Sequence, residues 1–328
     1  MMLLDILLLV VGAALVLFGA DKLTDGATGL ARRFNISEMV IGLTVVAFGT
    51  SLPEFVTSFV STLKGSADIS MGNVVGSNIF NALFIVGSAA VVSPIVISKA
   101  TVQKDIPFAL LASLMLVVVS MDVFFDGASL DVLSRTDGIV LLGFFSIFMA
   151  YTMFMARNTN VIDTQSSSDD LVVQMPYWRI SLYVILGLAG LVFGGDLFVD
   201  SACSIALNLG ISETVIGLTI VAAGTSLPEL ATSIVAARKG SSAIAIGNVV
   251  GSNIFNIFFV MGACATISPM NVGNIGHLDL YLLIASVLLL WMFSCSSLKI
   301  KRWEGATLMA VYVAYVAYLV FKSTVVWE

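Results

Sequence analysis

The chain has 328 residues, 59% of them apolar and 11% charged, and its mean hydropathy is +1.04. Its 15 basic and 21 acidic residues are too few to clothe a water-soluble globule, so lipid must replace water over most of the surface. A net charge of −6 and a pI near 4.7 exclude a basic nucleic-acid surface, and the apolar content excludes a disordered chain.

A helix needs roughly 20 mainly apolar residues to cross about 30 Å of hydrocarbon. The first such segment is 3–31. It lacks the basic start and small-residue cleavage pattern of a signal peptide and reads as a span. Segments 38–62, 70–92, 105–122 and 137–156 follow, giving a first half, 1–157, of five spans. The connection 158–176 carries Ser166, Ser167, Ser168, Asp169 and Asp170 and reads as a polar cytoplasmic linker too short to fold alone. The second half, 177–328, holds spans at 178–207, 213–237, 243–267, 278–298 and 304–321. The expected fold is therefore an all-α polytopic membrane protein of ten transmembrane helices.

Lys and Arg set the orientation. One side receives Arg32, Arg33, Lys99, Lys104, Arg157, Arg179, Arg238, Lys239, Lys299, Lys301 and Arg302; the other receives only Lys64, Arg135 and Lys322. Both termini should then face away from the cytoplasm. Tyr177, Trp178, Trp303 and Trp327 fall near span ends, as an interfacial aromatic belt requires, whereas core packing stays open for Trp291. Cys203, Cys264 and Cys295 are too far apart for a disulfide framework or a zinc cluster, and the lone His277 reads as a span entrance.

Residues 36–81 align without gaps to 211–256, with 33 identities in 46 positions at an offset of 175. Upstream, Phe18, Gly19, Asp21 and Asp25 recur as Phe193, Gly194, Asp196 and Asp200. Five spans per half is an odd number, so the second half enters the membrane from the opposite side. Two such inverted-topology repeats define the plan of many secondary transporters, with substrate sites near the midplane at the repeat interface.

The first repeated block runs from Gly49 through Thr50, Ser51, Leu52 and Pro53 to Glu54, and returns from Gly224 through Thr225, Ser226, Leu227 and Pro228 to Glu229. Each lies in mid-span. Pro53 should free the carbonyl of Gly49 and, with local unwinding, that of Ala47; Pro228 should do the same for Gly224 and Ala222. An acidic side chain at the bilayer centre costs about 2.5–3.5 kcal/mol on insertion scales, so Glu54 and Glu229 are the expensive residues of the chain. The second block runs from Gly72 to Asn81 and returns from Gly247 to Asn256. Asn73, Ser77 and Asn81 form one polar stripe, as do Asn248, Ser252 and Asn256, and Gly72 and Gly76 suit close helix packing. Asn78 and Asn253 face elsewhere and read as packing residues. Carboxylates, hydroxyls, amides and freed carbonyls are hard oxygen donors that suit Ca2+, Na+ or K+ rather than zinc or copper.

The two blocks, each occurring twice and in the same order, resemble the alpha-repeats of the sodium/calcium exchanger family, within the cation/calcium antiporter superfamily and of the bacterial or archaeal type. The resemblance covers nearly the whole chain. It implies a central cation cluster with carboxylate ligands at Glu54 and Glu229 and hydroxyl or backbone oxygens from Thr50, Ser51, Thr225, Ser226, Ser77 and Ser252. It adds carbonyls from Ala47 and Ala222, and places Asn81 and Asn256 at the amide position. It also implies that the long, tilted first and sixth spans slide against the others. Some members carry Asp where Asn81 or Asn256 stands, which leaves K+ involvement and the coupling ratio open. The short linker has no room for a calcium-sensing domain. Asp21, Asp25, Asp196 and Asp200 stay outside the site, as partners of neighbouring helices or, for the first pair, of Lys22.

The expected activity is thus a secondary antiporter exchanging Na+ for Ca2+ across a prokaryotic inner membrane, with no enzyme chemistry, no cofactor and no obligatory protein partner beyond lipid. An H+-coupled antiporter of the same fold is the alternative, since close carboxylates can share a proton. A cation channel is the alternative of a different class, and an intramembrane hydrolase lacks a base placed near a serine.

Overall fold

The computed structural model describes residues 2–65, 67–158, 175–209, 222–272 and 275–325. In chain order its main helices are α1 Met2–Phe34, α2 Glu38–Thr50, α3 Leu52–Leu63, α4 Ile69–Val92, α5 Thr101–Val119 and α6 Arg135–Arg157. They continue with α7 Tyr177–Asn208, α8 Ala222–Gly224, α9 Leu227–Arg238, α10 Ser242–Ile267, α11 His277–Ser297 and α12 Arg302–Phe321. Among the described residues, eight helices are long and apolar enough to cross a membrane, and the pair α2 and α3, bent by 47°, makes a ninth. These nine coincide with predicted spans. The start of the remaining one, 213–221, lies outside the described residues, as do most of the predicted linker and Trp327.

Burial separates core from rim. Of the most apolar stretch of α4 and α10, 83% and 94% is buried, against 17% in α1, α6 and α12. The outer helices are apolar all round because lipid wets them, while α4 and α10 carry the polar stripes inside. Trp178 and Trp303 are exposed near helix starts, whereas Trp291 is half-buried and donates its indole N–H to the Val102 carbonyl at 2.8 Å. That settles Trp291 as a packing residue.

Helices α1 and α7 have 33 and 32 residues, about 50 Å each at 1.5 Å per residue, which exceeds the hydrocarbon thickness of about 30 Å. They pack backbone to backbone. A Cβ on Gly19 would lie 2.7 Å from the Leu191 nitrogen, and one on Gly187 would lie 2.6 Å from the Leu23 nitrogen. In lipid, such contact between small residues is what holds helices together. Gly247 and Gly251 bring α10 equally close to α2, at Gly42 and Leu43. The repeat-equivalent partners of Gly72 and Gly76 lie outside the described residues.

Four two-residue strands tie the halves at the helix ends. Strand β1 (Ile95–Val96) pairs antiparallel with β4 (Lys299–Ile300), and β2 (Val132–Leu133) with β3 (Met270–Asn271). Residues 95 and 270 are related by the repeat offset, so the strand after the core helix of each half pairs with a strand of the other half.

Candidate functional site

Helix α2 ends at Thr50, and Ser51 turns the chain with φ −83° and ψ 7°. Ser226 turns it likewise, with φ −91° and ψ 9°, between α8 and α9. A serine at a helix start ordinarily caps the first-turn N–H groups. Here neither does, and Pro53 and Pro228, within those first turns, have no N–H to offer. The hydroxyls instead cross the molecule: Ser51 Oγ donates to Glu229 Oε1 and Ser226 Oγ to Glu54 Oε1, both at 2.8 Å.

One predicted detail is corrected. The Ala47 carbonyl is not released by Pro53, because it accepts the Ser51 N–H at 3.0 Å and lies 3.4 Å from the Thr50 hydroxyl. The chain bends at Ser51, whose own N–H still makes the helical bond to Ala47, and does not unwind before it. Ala222 is the first described residue of the second break.

Both carboxylates are fully buried, as are Ser51, Ser226, Asn81, Asn256 and Ser252. Around them the two repeats make the same bonds with roles exchanged. Asn73 Nδ2 donates to the Glu54 carbonyl at 3.3 Å and to Ser58 Oγ at 3.0 Å; Asn248 Nδ2 donates to the Glu229 carbonyl and to Ser233 Oγ at those same distances. Thr50 Oγ1 donates to Asn248 Oδ1 at 3.0 Å, and Thr225 Oγ1 lies 3.4 Å from Asn73 Oδ1. Thr50 and Thr225 thus sit beside the asparagines of the opposite repeat. Ser77 donates to the Asn73 carbonyl at 2.7 Å and accepts from Asn256 Nδ2 at 3.3 Å, while Ser252 Oγ stands 3.5 Å from Glu229 Oε1.

Asn73, Asn248, Ser58 and Ser233 form a support layer that the sequence reading did not assign. The asparagines are visible in the sequence as parts of the polar stripes, and the serines only by their recurrence four residues after each Glu. Asn81 opens a wide π turn, Asn81–Ile85, and Asn256 lies in another, Phe255–Met261. Such turns break the helical ladder and often mark functional sites. Asn253 Nδ2 donates to the Asn78 carbonyl at 3.2 Å, in keeping with a packing role.

The inner face carries unpaired acceptors. Among the described residues, the acceptors Glu54 Oε2, Glu229 Oε2, Asn81 Oδ1 and Asn256 Oδ1 are buried without a hydrogen-bond partner, as are the Asn81 Nδ2 donor, both amide atoms of Asn78 and Asn253 Oδ1. Buried acceptors without partners are costly, and the two carboxylate oxygens with the Asn81 and Asn256 carbonyl oxygens are the kind of donors that would suit a hard cation. No cluster of three or more His, Cys, Asp or Glu occurs among the described residues, so the donors are mixed oxygens.

An apolar helical bundle around two buried carboxylates, hydroxyls and amides is the build of a membrane ion carrier. The sequence model of the family described as "Sodium/calcium exchanger protein" matches residues 4–154 and 180–321. "Sodium/calcium exchanger MaX1" of Methanosarcina acetivorans is 33% identical over 345 residues, covering 97% of this chain and 99% of that one. "Inner membrane protein YrbG" of Escherichia coli is 36% identical over 333 residues and all of both chains. The sodium-calcium exchanger NCX_Mj, soaked with Na+ and Sr2+, superposes with a TM-score of 0.82 at 35% identity, over 97% of this chain and 99% of that one. The chain belongs to the sodium/calcium exchanger family and is an integral membrane ion antiporter.

Proposed function

We propose that the chain exchanges Na+ for Ca2+ by alternating access at a midplane site built on Glu54 and Glu229. The observation that carries this reading is the crossed pair of Ser–Glu bonds, which leaves one buried oxygen of each carboxylate without a partner. Thr50, Thr225, Ser51, Ser226, Ser77 and Ser252 supply further oxygens, Asn81 and Asn256 the amides, and Ala47 and Ala222 a carbonyl lone pair each. Two carboxylates carry two negative charges, which one Ca2+ or two Na+ neutralise. Mutually exclusive filling of one cage gives exchange directly, and an empty, doubly charged cage is costly to move through a low-dielectric barrier. The family and the names of MaX1 and NCX_Mj favour Na+ as the coupling ion.

The reading includes ten spans in two inverted halves, 1–157 and 177–328, with the linker in the cytoplasm and both termini on the other side of a prokaryotic inner membrane. Substitution of Glu54→Gln and of Glu229→Gln tests the site. Each keeps shape and removes charge, so each is expected to abolish radioactive Ca2+ uptake into liposomes while the protein still elutes as a folded species. Full uptake in either variant would remove that residue from the site.

A further inference from the structure

The helices that follow the two breaks end in the same way. Lys64 N bonds the Val60 carbonyl at 3.0 Å and Lys239 N the Val235 carbonyl at 2.9 Å. Each Lys precedes a left-handed glycine, Gly65 at φ 77° and Gly240 at φ 81°. Local structure therefore presents the two lysines alike, as expected of residues related by the repeat offset of 175. Their surroundings differ. Lys239 Nζ lies 2.7 Å from Asp21 Oδ1 and 2.6 Å from Asp25 Oδ1, and also donates to the Asp21 carbonyl at 3.0 Å. It clamps the end of α9 to α1, and those helices pack together along this stretch. Lys22, on α1 itself, adds a 3.1 Å contact to Asp21.

The equivalent arrangement would place Lys64 on Asp196 and Asp200 of α7. It is not made. Lys64, Asp196 and Asp200 are exposed, no ion pair joins them among the described residues, and α7 does not pack on α3 as α1 packs on α9. Two carboxylates one helical turn apart repel each other until a cation joins them. Position 197 is Leu, so α7 carries no counterpart of Lys22 to relieve them.

We propose that Lys239 and Lys64 are alternating latches: Lys239 on Asp21 and Asp25 holds the conformation seen here, and Lys64 on Asp196 and Asp200 holds its repeat-exchanged counterpart. The proposal rests on the alternating-access reading and adds a device to it. Closing one ion-pair cluster as the other opens keeps two end states close in free energy, which a reversible carrier requires, and makes the movement of α1 and α7 two-state. Each latch lies outside the cation cage, so it biases which end of the bundle is closed and leaves ion coordination to Glu54 and Glu229.

Charge reversal in the full-length reconstituted protein is the test, read by Na+-driven Ca2+ uptake and by hydrogen–deuterium exchange of the helix ends. Lys239→Glu is expected to slow uptake about fivefold, the scale set by a part-exposed ion pair, and to speed amide exchange at the ends of α1 and α9. Adding Asp25→Lys should restore both. Lys64→Glu should slow uptake without speeding amide exchange at α1 and α9, and Asp200→Lys should rescue it although the two residues are apart in this structure. Failure of that second rescue, or unchanged amide exchange in Lys239→Glu, would overturn the latch. Absence of Na+-driven uptake in the unaltered protein would instead refute the exchange reading, and the amide-exchange shifts would still decide the latch.

Discussion

Ser51 and Ser226 occupy capping positions and yet give their protons to the carboxylate of the opposite repeat. A hydrogen bond to a charged group contributes about 1.5–3 kcal/mol, or roughly tenfold or more in affinity. Ser51→Ala and Ser226→Ala should therefore each weaken Ca2+ binding by about that factor, and by similar amounts, in calorimetric titrations in Na+-free buffer. A loss confined to one variant would contradict the crossed arrangement. At this scale the sequence was informative about identity and silent about partners. A carboxylate in mid-span, repeated beside a proline and two hydroxyls, is legible because lipid makes it expensive. Helical periodicity places Thr50 and Glu54 on one face, but it does not say that Thr50 meets Asn248, or that Ser51 reaches Glu229 and leaves Glu54 to Ser226. Asn73 and Asn248 show the same limit: they are visible as parts of a polar stripe, and their grip on the Glu carbonyls depends on how two helices meet.

The broken helix was readable from Pro53, whereas the exact place of the break was not. A proline removes its own N–H from the ladder, yet Ser51 keeps its bond to Ala47, so the bend falls at Ser51 itself. The π turns at Asn81 and around Asn256 have no compositional signature within spans 70–92 and 243–267. The contact of α1 with α7 was half legible. The family resemblance implies that both are long and tilted, and Gly19 and Gly194 are visible only as repeat matches; the seam itself needs both helices in place. Gly19→Val would drive a side chain into the Leu191 backbone, where neither atom is the end of a flexible chain. Overpacking costs about 1–3 kcal/mol where neighbours can yield, and a backbone neighbour yields less. The variant should melt well below the unaltered protein in detergent, whereas Gly143→Val, with nothing within 4 Å of its Cβ, should not. Equal melting temperatures would show that the seam is not a tight one.

Over the whole molecule, the duplicated sequence accounts for reciprocal contacts, and one pair of equivalent residues departs from them. The Ser–Glu bonds, the Asn73 and Asn248 layers and the strand pairs β1–β4 and β2–β3 all exchange roles between halves. Lys239 and Lys64 do not. A sequence with 33 identities in 46 aligned positions offers both versions of each contact, so the version that is made is not legible in the residues alone. The charge scarcity that first marked a membrane protein also exposes this plan, because most charges lie at helix ends and, of those repeated inside spans, Asp21 and Asp25 pair with lysines and Glu54 and Glu229 with serines of the opposite repeat.

The central claim is that the inward movement of Na+ drives Ca2+ the other way through the site of Glu54 and Glu229. Purified protein in liposomes loaded with Na+ should take up radioactive Ca2+ when external Na+ is diluted, and uptake should vanish when Na+ is equal on both sides. Ca2+ uptake that ignores the Na+ gradient and follows a pH gradient instead, or that runs at channel rates with no counter-ion, would contradict it.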